Sequence, residues 1–296
     1  MGKRIFTLFA LLLVIAGMFT GCAEMEKLFT QLTDTQSKVD YNNTVTALDV
    51  GQAACTLIES DGHFCLIDAG SAGGTVDVSS YLKKRKVKKI DLLVLSHFHY
   101  DHTSEVLDII RNFDIETVLI PALDENNIPD SYLYKSLQED SEQGYYSLEY
   151  AEKDKTFTVG GGTVRVLADT YNLDPDLDAN NTSVALSYTK GDFVYVNTAD
   201  IEQRVEREYL VDFLPENITV YAAAHHGSQY SNTAQILEKL SPDFITVSCG
   251  KDNDYGHPHR PFLDRVNAIG AEYLVTAEYG NIVYSMEQFK VISEQK

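Results

Sequence analysis

Apolar residues along this chain fall into short runs that alternate with amphipathic segments. The runs TVTALDV, CTLIES and HFCLIDAG, within residues 44–70, have the length and composition of β-strands, and the turn Asp61-Gly62 separates the last two. The segment VDVSSYLKKRK then has the spacing of a helix. IDLLVLS, at residues 90–96, is a continuous apolar run, which is typical of a strand buried on both faces. TSEVLDIIRNF predicts a further helix and TVLIPA a further strand.

The second half of the chain repeats this alternation. TFTVGGGTVRVLAD and SVALSYTKGDFVYVNT predict two hairpins, with turns at residues 160–162 and 190–192. The predicted elements that follow are the helix IEQRVEREYLVDFL, the strand ITVYAAA, the helix NTAQILEKL, the strand DFITVSC and, after PFLDRVNAIG, the closing strands AEYLVTAE and NIVYSM. Residues 124–153 are polar and rich in tyrosine, and we predict there a surface helix over SYLYKSLQED.

The order of these elements indicates the fold class. Strands grouped in hairpins, with helices between them and in two successive halves, predict an α/β fold of the αββα type. In such a sandwich two sheets pack face to face and helices cover both outer faces. The chain has 296 residues, which is long enough for one large domain with a sizeable core.

The N-terminal segment has the composition of an export signal. Lys3 and Arg4 precede the apolar run IFTLFALLLVIAGMF, and small residues and Cys22 follow it. The run is short for a membrane span, so an uncleaved anchor is the weaker alternative. The ending FTGC resembles a bacterial lipobox, which implies lipid attachment at Cys22. We therefore expect a lipoprotein signal peptide at residues 1–21, a polar tether at 22–42 and the folded domain at 43–296, exported and lipid-anchored to the outer face of the bacterial cytoplasmic membrane.

The charge of the chain limits the partners that it can attract. It has 24 Lys and Arg against 44 Asp and Glu, a formal net charge of −20. This charge repels nucleic acids and anionic membrane surfaces at long range. We expect no strong nucleic-acid binding and contact with the membrane through the N-terminal lipid only. The basic block KKRKVKK, at residues 83–89, suits a solvated helix end. Nothing in these patterns indicates an oligomeric state.

The cysteines do not form the pattern of a disulfide framework. Besides Cys22 the chain has Cys55, Cys65 and Cys249, an odd number. Cys55 and Cys65 flank the Asp61-Gly62 turn and can pair across a hairpin. Small buried apolar residues are the favoured interpretation of all three.

Histidines are concentrated in three clusters, each of which follows an apolar strand. Of the eight histidines, His63 alone lies outside the clusters, which contain His97, His99 and His102, then His225 and His226, then His257 and His259. Alternate side chains of an extended backbone point to the same side, so His97 and His99 can reach one ion. Asp101 and His102 follow and can face a second ion. Imidazole with carboxylate suits zinc, manganese or iron, whereas solvated surface histidines are the alternative.

HFHYDH at residues 97–102 matches the signature HxHxDH, by which the chain resembles the metallo-β-lactamase superfamily. Further segments are similar to the ComEC-type branch, the hydrolase domain of the DNA-uptake competence proteins. They are LDVGQ, LIDAG, SHFHYDH, NNTSVAL, NTADIE, AAAHHGSQYS and DYGHPH. They occur in the order of that branch within residues 44–286. The resemblance implies a metallo-β-lactamase-type sandwich for residues 43–296 and a hydrolytic site with two divalent metal ions, zinc first and manganese as the alternative.

The same resemblance implies roles for individual residues. The implied metal ligands are His97 and His99 on the first ion, Asp101, His102 and His225 on the second, and Asp200 as the bridging carboxylate. The implied catalytic residues are Asp101, His226, Asn181 and His257. His226 would contact substrate or protonate a leaving group, and an exchange of roles with His225 is left open. His257 would line the same cleft. Asn181 is a candidate for a substrate or water contact, with a turn residue opening a strand as the alternative.

The chain departs from the ComEC-type pattern at several positions. Ala53 and Ala54 stand where the branch has Gly and Asp, and Ala199 replaces the Gly of its TGD motif. Many members of the superfamily have a third histidine on the first ion, where the NNTS segment of this chain offers Asn180 and Asn181. We therefore expect the ion at His97 and His99 to be less enclosed and more weakly bound.

These observations predict an exported metal-dependent hydrolase that acts on a small or polymeric phosphodiester. Hydrolysis of a β-lactam or a thioester is the alternative within the enzymes, since the fold alone does not exclude it. A non-catalytic binding module is the alternative of another class. The missing acid at Ala54 favours that module, whereas the retained set of His and Asp disfavours it, because clustered polar groups are hard to keep in a cleft without a cation.

Overall fold

The computed structural model describes residues 41–71, 73–123, 131–168 and 179–294. The expected signal peptide, the lipidation site Cys22 and almost all of the tether lie outside these residues and stay predictions. Within the described ranges, no helix has the length and apolar character that a membrane crossing needs.

The first sheet has eight strands in the order β15-β14-β1-β2-β3-β4-β5-β6. Their bounds are Asn43–Ala47 for β1, Thr56–Ser60 for β2, His63–Ile67 for β3, Lys89–Val94 for β4, Asp114–Pro121 for β5, Ser147–Ala151 for β6, Asn281–Ser285 for β14 and Lys290–Glu294 for β15. Strands β3 to β6 run parallel to one another, and the remaining pairs are antiparallel. The loop that follows β4 carries the HxHxDH motif.

The second sheet has seven strands in the order β13-β12-β11-β10-β9-β8-β7. Their bounds are Thr156–Val159 for β7, Gly162–Val166 for β8, Leu186–Lys190 for β9, Phe193–Asn197 for β10, Val220–Ala222 for β11, Phe244–Val247 for β12 and Glu272–Val275 for β13. Strands β10 to β13 are parallel, whereas β7 to β10 form the two predicted hairpins.

Eight α-helices connect the strands within the described residues. They are α1 Val78–Lys84, α2 Tyr100–Thr103, α3 Val106–Asn112, α4 Tyr132–Glu142, α5 Gln203–Val205, α6 Ala234–Leu240, α7 Arg260–Ile269 and α8 Thr276–Tyr279. Helix α1 begins after Asp77, whose carboxylate accepts a hydrogen bond from the backbone N–H of Ser80 at 2.6 Å, a typical N-cap. The basic block ends this helix with Lys83 and Lys84 exposed in its last turn, as predicted.

Three apolar layers hold the sandwich together. Ile58, Val94 and Leu186 belong to the core between the two sheets. Helices α1, α3 and α4 pack on the outer face of the first sheet and form the second apolar layer with it. Helices α6 and α7 pack on the outer face of the second sheet and form the third. Along β4 the side chains alternate, so that Val94 lies between the sheets and Leu93 lies under the helices. The predicted αββα arrangement, with β4 buried on both faces, is confirmed.

Three parts of the chain differ from the sequence prediction. Strand β6 lies in the polar segment for which we predicted only a helix, because an edge strand needs few buried side chains. Strand β15 extends the other edge of the same sheet. The long helix predicted over residues 201–214 is divided into α5, a π-helical turn at Glu206–Leu210 and a 3-10 turn at Val211–Phe213.

The division of this helix occurs where a carboxylate turns inward. Glu206 is fully buried and accepts hydrogen bonds from the backbone N–H groups of Asn232, at 2.6 Å, and Thr233, at 2.8 Å.

The three described cysteines are buried and free, which confirms the interpretation of Cys55, Cys65 and Cys249 as small apolar residues.

Candidate metal centre

The histidine clusters meet where the strands of the two sheets end. The loop after β4 contributes His97, His99 and the start of α2, and the loop after β10 contributes Asp200. The turn after β11 carries His225 and His226. Groups that are more than a hundred residues apart in sequence are thereby brought into one cleft.

The turn after β11 has an unusual backbone. His225 has φ 50° and His226 has φ 55°, two successive non-glycine residues in the left-handed region. Asn232 holds this turn, since its side chain accepts from the N–H of Ala224 and donates to the carbonyl of Ala224, both at 2.8 Å. As a result the two imidazoles diverge, with His226 buried and His225 reaching the cleft. Ala199 also has a positive φ, 45°, so the backbone there does have the conformation that favours the replaced glycine.

Four side chains form the tightest group. Asp101, His102, Asp200 and His226 each present one ligand atom, and these atoms lie within 4.8 Å of one another. Nε2 of His226 lies 3.2 Å from Oδ2 of Asp101, and Nε2 of His102 lies 3.3 Å from Oδ1 of Asp200. Two imidazoles and two carboxylates within this distance can hold a divalent cation.

Two buried imidazole nitrogens support a cation at this place. Nε2 of His97 and Nε2 of His102 have no hydrogen-bond partner among the described residues. The 3.3 Å approach of His102 to Asp200 does not have hydrogen-bond geometry. A buried polar atom without a partner is destabilising, and a ligated metal ion removes that penalty. The residues therefore fit the metal that the sequence motif predicts.

Asp68 orients His102 through the ring nitrogen that faces away from the four-residue group. One of its carboxylate oxygens lies 2.7 Å from Nδ1 of His102, and the hydroxyl of Ser96 donates to the same oxygen at 2.8 Å. The other oxygen accepts from the N–H of Ser96 at 2.7 Å. A proton on Nδ1 leaves the lone pair of Nε2 directed at the four-residue group. Burial lowers the pKa of His102, but Asp200 and Asp68 outweigh it and raise that pKa well above its usual value, so that without an ion Nε2 also carries a proton, which a bound metal ion would displace.

Asp68 was not among the site residues predicted from the sequence. The sequence feature that could have indicated Asp68 is the LIDAG segment. In this segment Asp68 directly follows β3, which pairs with β4, the strand before the HxHxDH motif. A carboxylate in this place is recognisable as functional only when its contact with His102 is known.

His226 and His225 have different surroundings. Nδ1 of His226 donates to the carbonyl of Ser248 at 2.7 Å, so its Nε2 points at Asp101 and Asp200. Nε2 of His225 lies 3.8 Å from Oδ2 of Asp200, and its Nδ1 lies 3.8 Å from Oε1 of Glu202. The side chain of His225 is 23% exposed, against 4% for His226. The geometry thus brings His226, and not His225, beside Asp101 and His102. This corresponds to the exchange of roles between the two histidines that the sequence left open.

His97 and His99 lie next to the four-residue group, and the ring centroids of His97 and His102 are 4.2 Å apart. The rings of His97 and His99 are 4.7 Å apart and nearly perpendicular, and Nε2 of His97 lies 4.0 Å from Oδ2 of Asp200. Burial and the neighbouring His102 lower the pKa of His97 well below its usual value, which keeps its imidazole neutral and able to bind a metal. The carboxylate of Asp200 is thus within 4.0 Å of imidazole nitrogens of both His97 and His102, which is the reach that a bridging carboxylate needs.

An open cleft of about 310 Å³ leads to these residues. It is lined by Gln52, His99, Tyr100, Asp101, Asn180, Asp200, His225, His226, Tyr255 and His257. His257 is in the cleft, with Nδ1 at 3.2 Å from Nε2 of Gln52, and burial lowers its pKa to about 3. Gln52 is a cleft residue that was not predicted from the sequence.

Asn181 is placed differently from its expected role. Its Oδ1 accepts from the N–H of Glu202 at 3.0 Å, and its Nδ2 donates to the carboxylate of Glu202 at 3.5 Å. The neighbouring Asn180, not Asn181, lines the cleft. In the structure, Asn181 therefore stabilises the turn after Asp200 through its hydrogen bonds to Glu202.

The segment with Ala53 and Ala54 also departs from the ComEC-type pattern. The backbone N–H of Ala54 donates to the carbonyl of Asp101 at 3.0 Å, so this segment contacts the HxHxDH motif although the acidic side chain is missing.

Residues 48–251 match the sequence model of the metallo-beta-lactamase superfamily. The chain belongs to this superfamily. Membership agrees with the two-sheet sandwich and with the position of the HxHxDH motif after β4. It confirms the predicted family and supports a metal-dependent hydrolase.

Competence proteins are similar to most of this metallo-beta-lactamase domain. ComE operon protein 3 of Bacillus subtilis is 27% identical over 205 residues, which is 69% of this chain and 26% of that protein. Competence protein ComA of Neisseria gonorrhoeae is 25% identical over 245 residues, which is 82% of this chain and 32% of that protein. These similarities confirm the ComEC-type resemblance. The chain spans about a quarter to a third of the length of these relatives.

A solved structure has the same fold. The metallo-beta-lactamase fold protein YhfI from Bacillus subtilis superimposes on 81% of this chain and 99% of its own length, with a TM-score of 0.55 and 15% sequence identity. At this identity the likeness concerns the fold alone.

Proposed function

We propose that this protein is a metal-dependent phosphodiesterase with two divalent metal ions, which acts outside the cytoplasmic membrane. The observation that supports it most directly is the position of Asp200. Its carboxylate lies 3.3 Å from Nε2 of His102 and 4.0 Å from Nε2 of His97, so it is within reach of both proposed sets of histidine ligands. Two cations held by such a set would acidify a water molecule and neutralise the negative charge that develops on the phosphoryl and leaving-group oxygens.

Each ion would have its own ligands besides the shared carboxylate. His97 and His99 would hold the first ion, and Asp101, His102 and His226 the second. This assignment replaces His225 by His226 on the basis of the hydrogen bond from His226 to Ser248 and its burial. The first ion has fewer protein ligands, so we propose that it binds more weakly and exchanges more readily. Zinc is the proposed metal, with manganese as the alternative.

The remaining cleft residues would bind and orient the substrate. His225 is partly exposed beside Asp200 and next to His257, at 5.7 Å between ring centroids. We assign His225 to a contact with the phosphate oxygens or with the departing alcohol, which takes up a proton when its bond to phosphorus breaks. Gln52 holds His257 from the other side through the 3.2 Å contact to Nδ1.

The site of action is proposed from the N-terminal pattern. Lys3, Arg4 and the apolar run before Cys22 are typical of an exported lipoprotein. The net charge of −20 disfavours strong binding of nucleic acid, so DNA import is not part of the proposal. The proposed substrate is a small or polymeric phosphodiester.

One experiment tests the proposal. Purify the full chain in mild detergent, measure bound metal by mass spectrometry, and assay bis-p-nitrophenyl phosphate and nitrocefin with the wild type and with Asp200→Ala. We expect two ions per chain, phosphodiester turnover, and loss of both an ion and turnover in the variant. Turnover unchanged in Asp200→Ala contradicts the dinuclear site. Nitrocefin turnover without phosphodiester turnover would show a β-lactam hydrolase instead.

A further inference from the structure

One wall of the cleft is a stack of three nearly parallel rings. The ring of His257 lies 5.9 Å from that of His226, with an angle of 28° between the planes. The ring of Tyr255 lies 5.7 Å from that of His257, with an angle of 16°. Both separations are in the range of offset-stacked aromatic pairs. The stack runs outward from the metal-ligand group, since His226 is buried and Tyr255 is 67% exposed.

The loop that carries Tyr255 is held in place by hydrogen bonds. The side chain of Asn253 accepts from the N–H of His257 at 2.9 Å and donates to the carbonyls of His257, at 2.7 Å, and Gly250, at 2.9 Å. Gln52 joins the loop to the first sheet, because its amide accepts from Gly250 N–H at 3.1 Å and contacts His257. The exposed ring is therefore positioned before any ligand arrives, which lowers the entropic cost of binding to it.

The charges of the cleft limit what else the substrate carries. None of the described residues that line the cleft is Lys or Arg, and the whole chain has a net charge of −20. A polyanion needs such side chains to neutralise the phosphates next to the one that reacts. The cleft thus suits a substrate with one phosphodiester and a neighbouring group that carries no further negative charge.

We propose that Tyr255 is a specificity-determining residue, which stacks its exposed face on a planar, uncharged ring that the substrate carries beside the scissile phosphodiester. A nucleobase and a simple aryl group share this chemistry. The inference rests on the proposed phosphodiesterase function and adds the class of group that flanks the reacting phosphorus. A ring on Tyr255 continues the existing stack, and stacking of one base on an aromatic side chain contributes about tenfold or more to affinity.

The test measures binding rather than turnover, with diesters that have no aryl leaving group, and chromatography after each titration verifies that the diester is intact. Titrate the full-length protein, loaded with zinc, by calorimetry with four methyl phosphodiesters, which carry thymidine, benzyl alcohol, choline or a second methyl group. We expect the thymidine and benzyl diesters to bind about tenfold more tightly than dimethyl phosphate. A preference for thymidine over benzyl identifies the ring as a nucleobase, and equal affinity identifies a general aryl site.

Variants of Tyr255 then assign the preference to its ring. Tyr255→Ala should remove the advantage of the ring-bearing diesters, and Tyr255→Phe should retain it. Tyr132→Ala is the matched control, since Tyr132 is 70% exposed but lines a separate groove near α3 and α4. Circular dichroism confirms that each variant is folded.

The outcomes separate this inference from the proposed function. An advantage for the ring-bearing diesters that persists in Tyr255→Ala, or none in the wild type, overturns the inference. So does preferential binding of the choline diester, since that would show cation–π recognition of an ammonium group. Failure to hydrolyse bis-p-nitrophenyl phosphate, with the Tyr255-dependent preference intact, would refute the phosphodiesterase and leave the stacking site standing.

Discussion

The carboxylate of Asp68 lies 2.7 Å from Nδ1 of His102, on the side of the imidazole that faces away from the metal-ligand group. Both residues are buried, and the contact joins the end of β3 to the helix that follows β4. A carboxylate in this position fixes which nitrogen of the ring carries the proton and makes the other nitrogen a better ligand.

Replacing Asp68 should therefore weaken metal binding although Asp68 touches no ion. We expect Asp68→Asn to lower zinc affinity about 10- to 100-fold, measured by competition with a chromophoric chelator. Asp91→Asn is the matched control, because Asp91 also pairs with an imidazole, Nδ1 of His63 at 3.1 Å, but on the surface away from the cleft. Equal losses in the two variants would mean that Asp68 has a general structural role only.

The two adjacent histidines after β11 should respond differently to substitution. His226→Ala should bind one ion fewer per chain, because His226 lies within the group of Asp101, His102 and Asp200. His225→Ala should keep both ions and lose roughly 100-fold in kcat, as expected for a residue that assists the leaving group. Metal content by mass spectrometry and steady-state kinetics measure the two effects. The reverse pattern would restore His225 as the ligand.

Substitution of Asn181 should affect stability more than metal content. Asn181→Ala removes two hydrogen bonds to Glu202, at 3.0 and 3.5 Å, from a buried position, which should lower the free energy of unfolding by about 1–3 kcal/mol. Asn112→Ala, at an exposed helix end, is the control, with an expected change below about 0.5 kcal/mol. Denaturant titration measures both. Loss of substrate affinity with unchanged stability would instead support a direct substrate contact for Asn181.

Zinc should stabilise the folded protein, because the proposed metal ligands that the enzyme would need for catalysis come together only in the folded state. At a free concentration about 100 times its dissociation constant, an ion that binds only the folded state adds about 2.7 kcal/mol, which raises Tm by roughly 5–10 °C. Thermal unfolding with and without a chelator should show this shift in the wild type, and a much smaller shift in Asp200→Ala. A Tm that does not depend on zinc would show that these residues hold no ion.

Much of the fold was accessible from the sequence because its signals are local. The apolar run of β4 predicted a strand buried on both faces, and the structure places Leu93 and Val94 on opposite faces, each in its own core. The order of strands and helices predicted the two-sheet sandwich, and the HxHxDH motif predicted the family. Strands β6 and β15 escaped prediction because edge strands bury few side chains and leave a weak apolar pattern.

The sequence by itself determined the family, the αββα fold and the set of residue types that can bind metal, since each depends on composition or spacing within a few tens of residues. The tertiary structure decided which of them converge. It placed His226 rather than His225 in the four-residue group, through a left-handed turn that Asn232 holds from outside the motif. It likewise set Asp68 behind His102 and turned Asn181 toward Glu202. The physical reason is that side-chain direction in a turn, and the hydrogen-bond partner of a buried group, depend on contacts between distant segments that exist only in the folded chain.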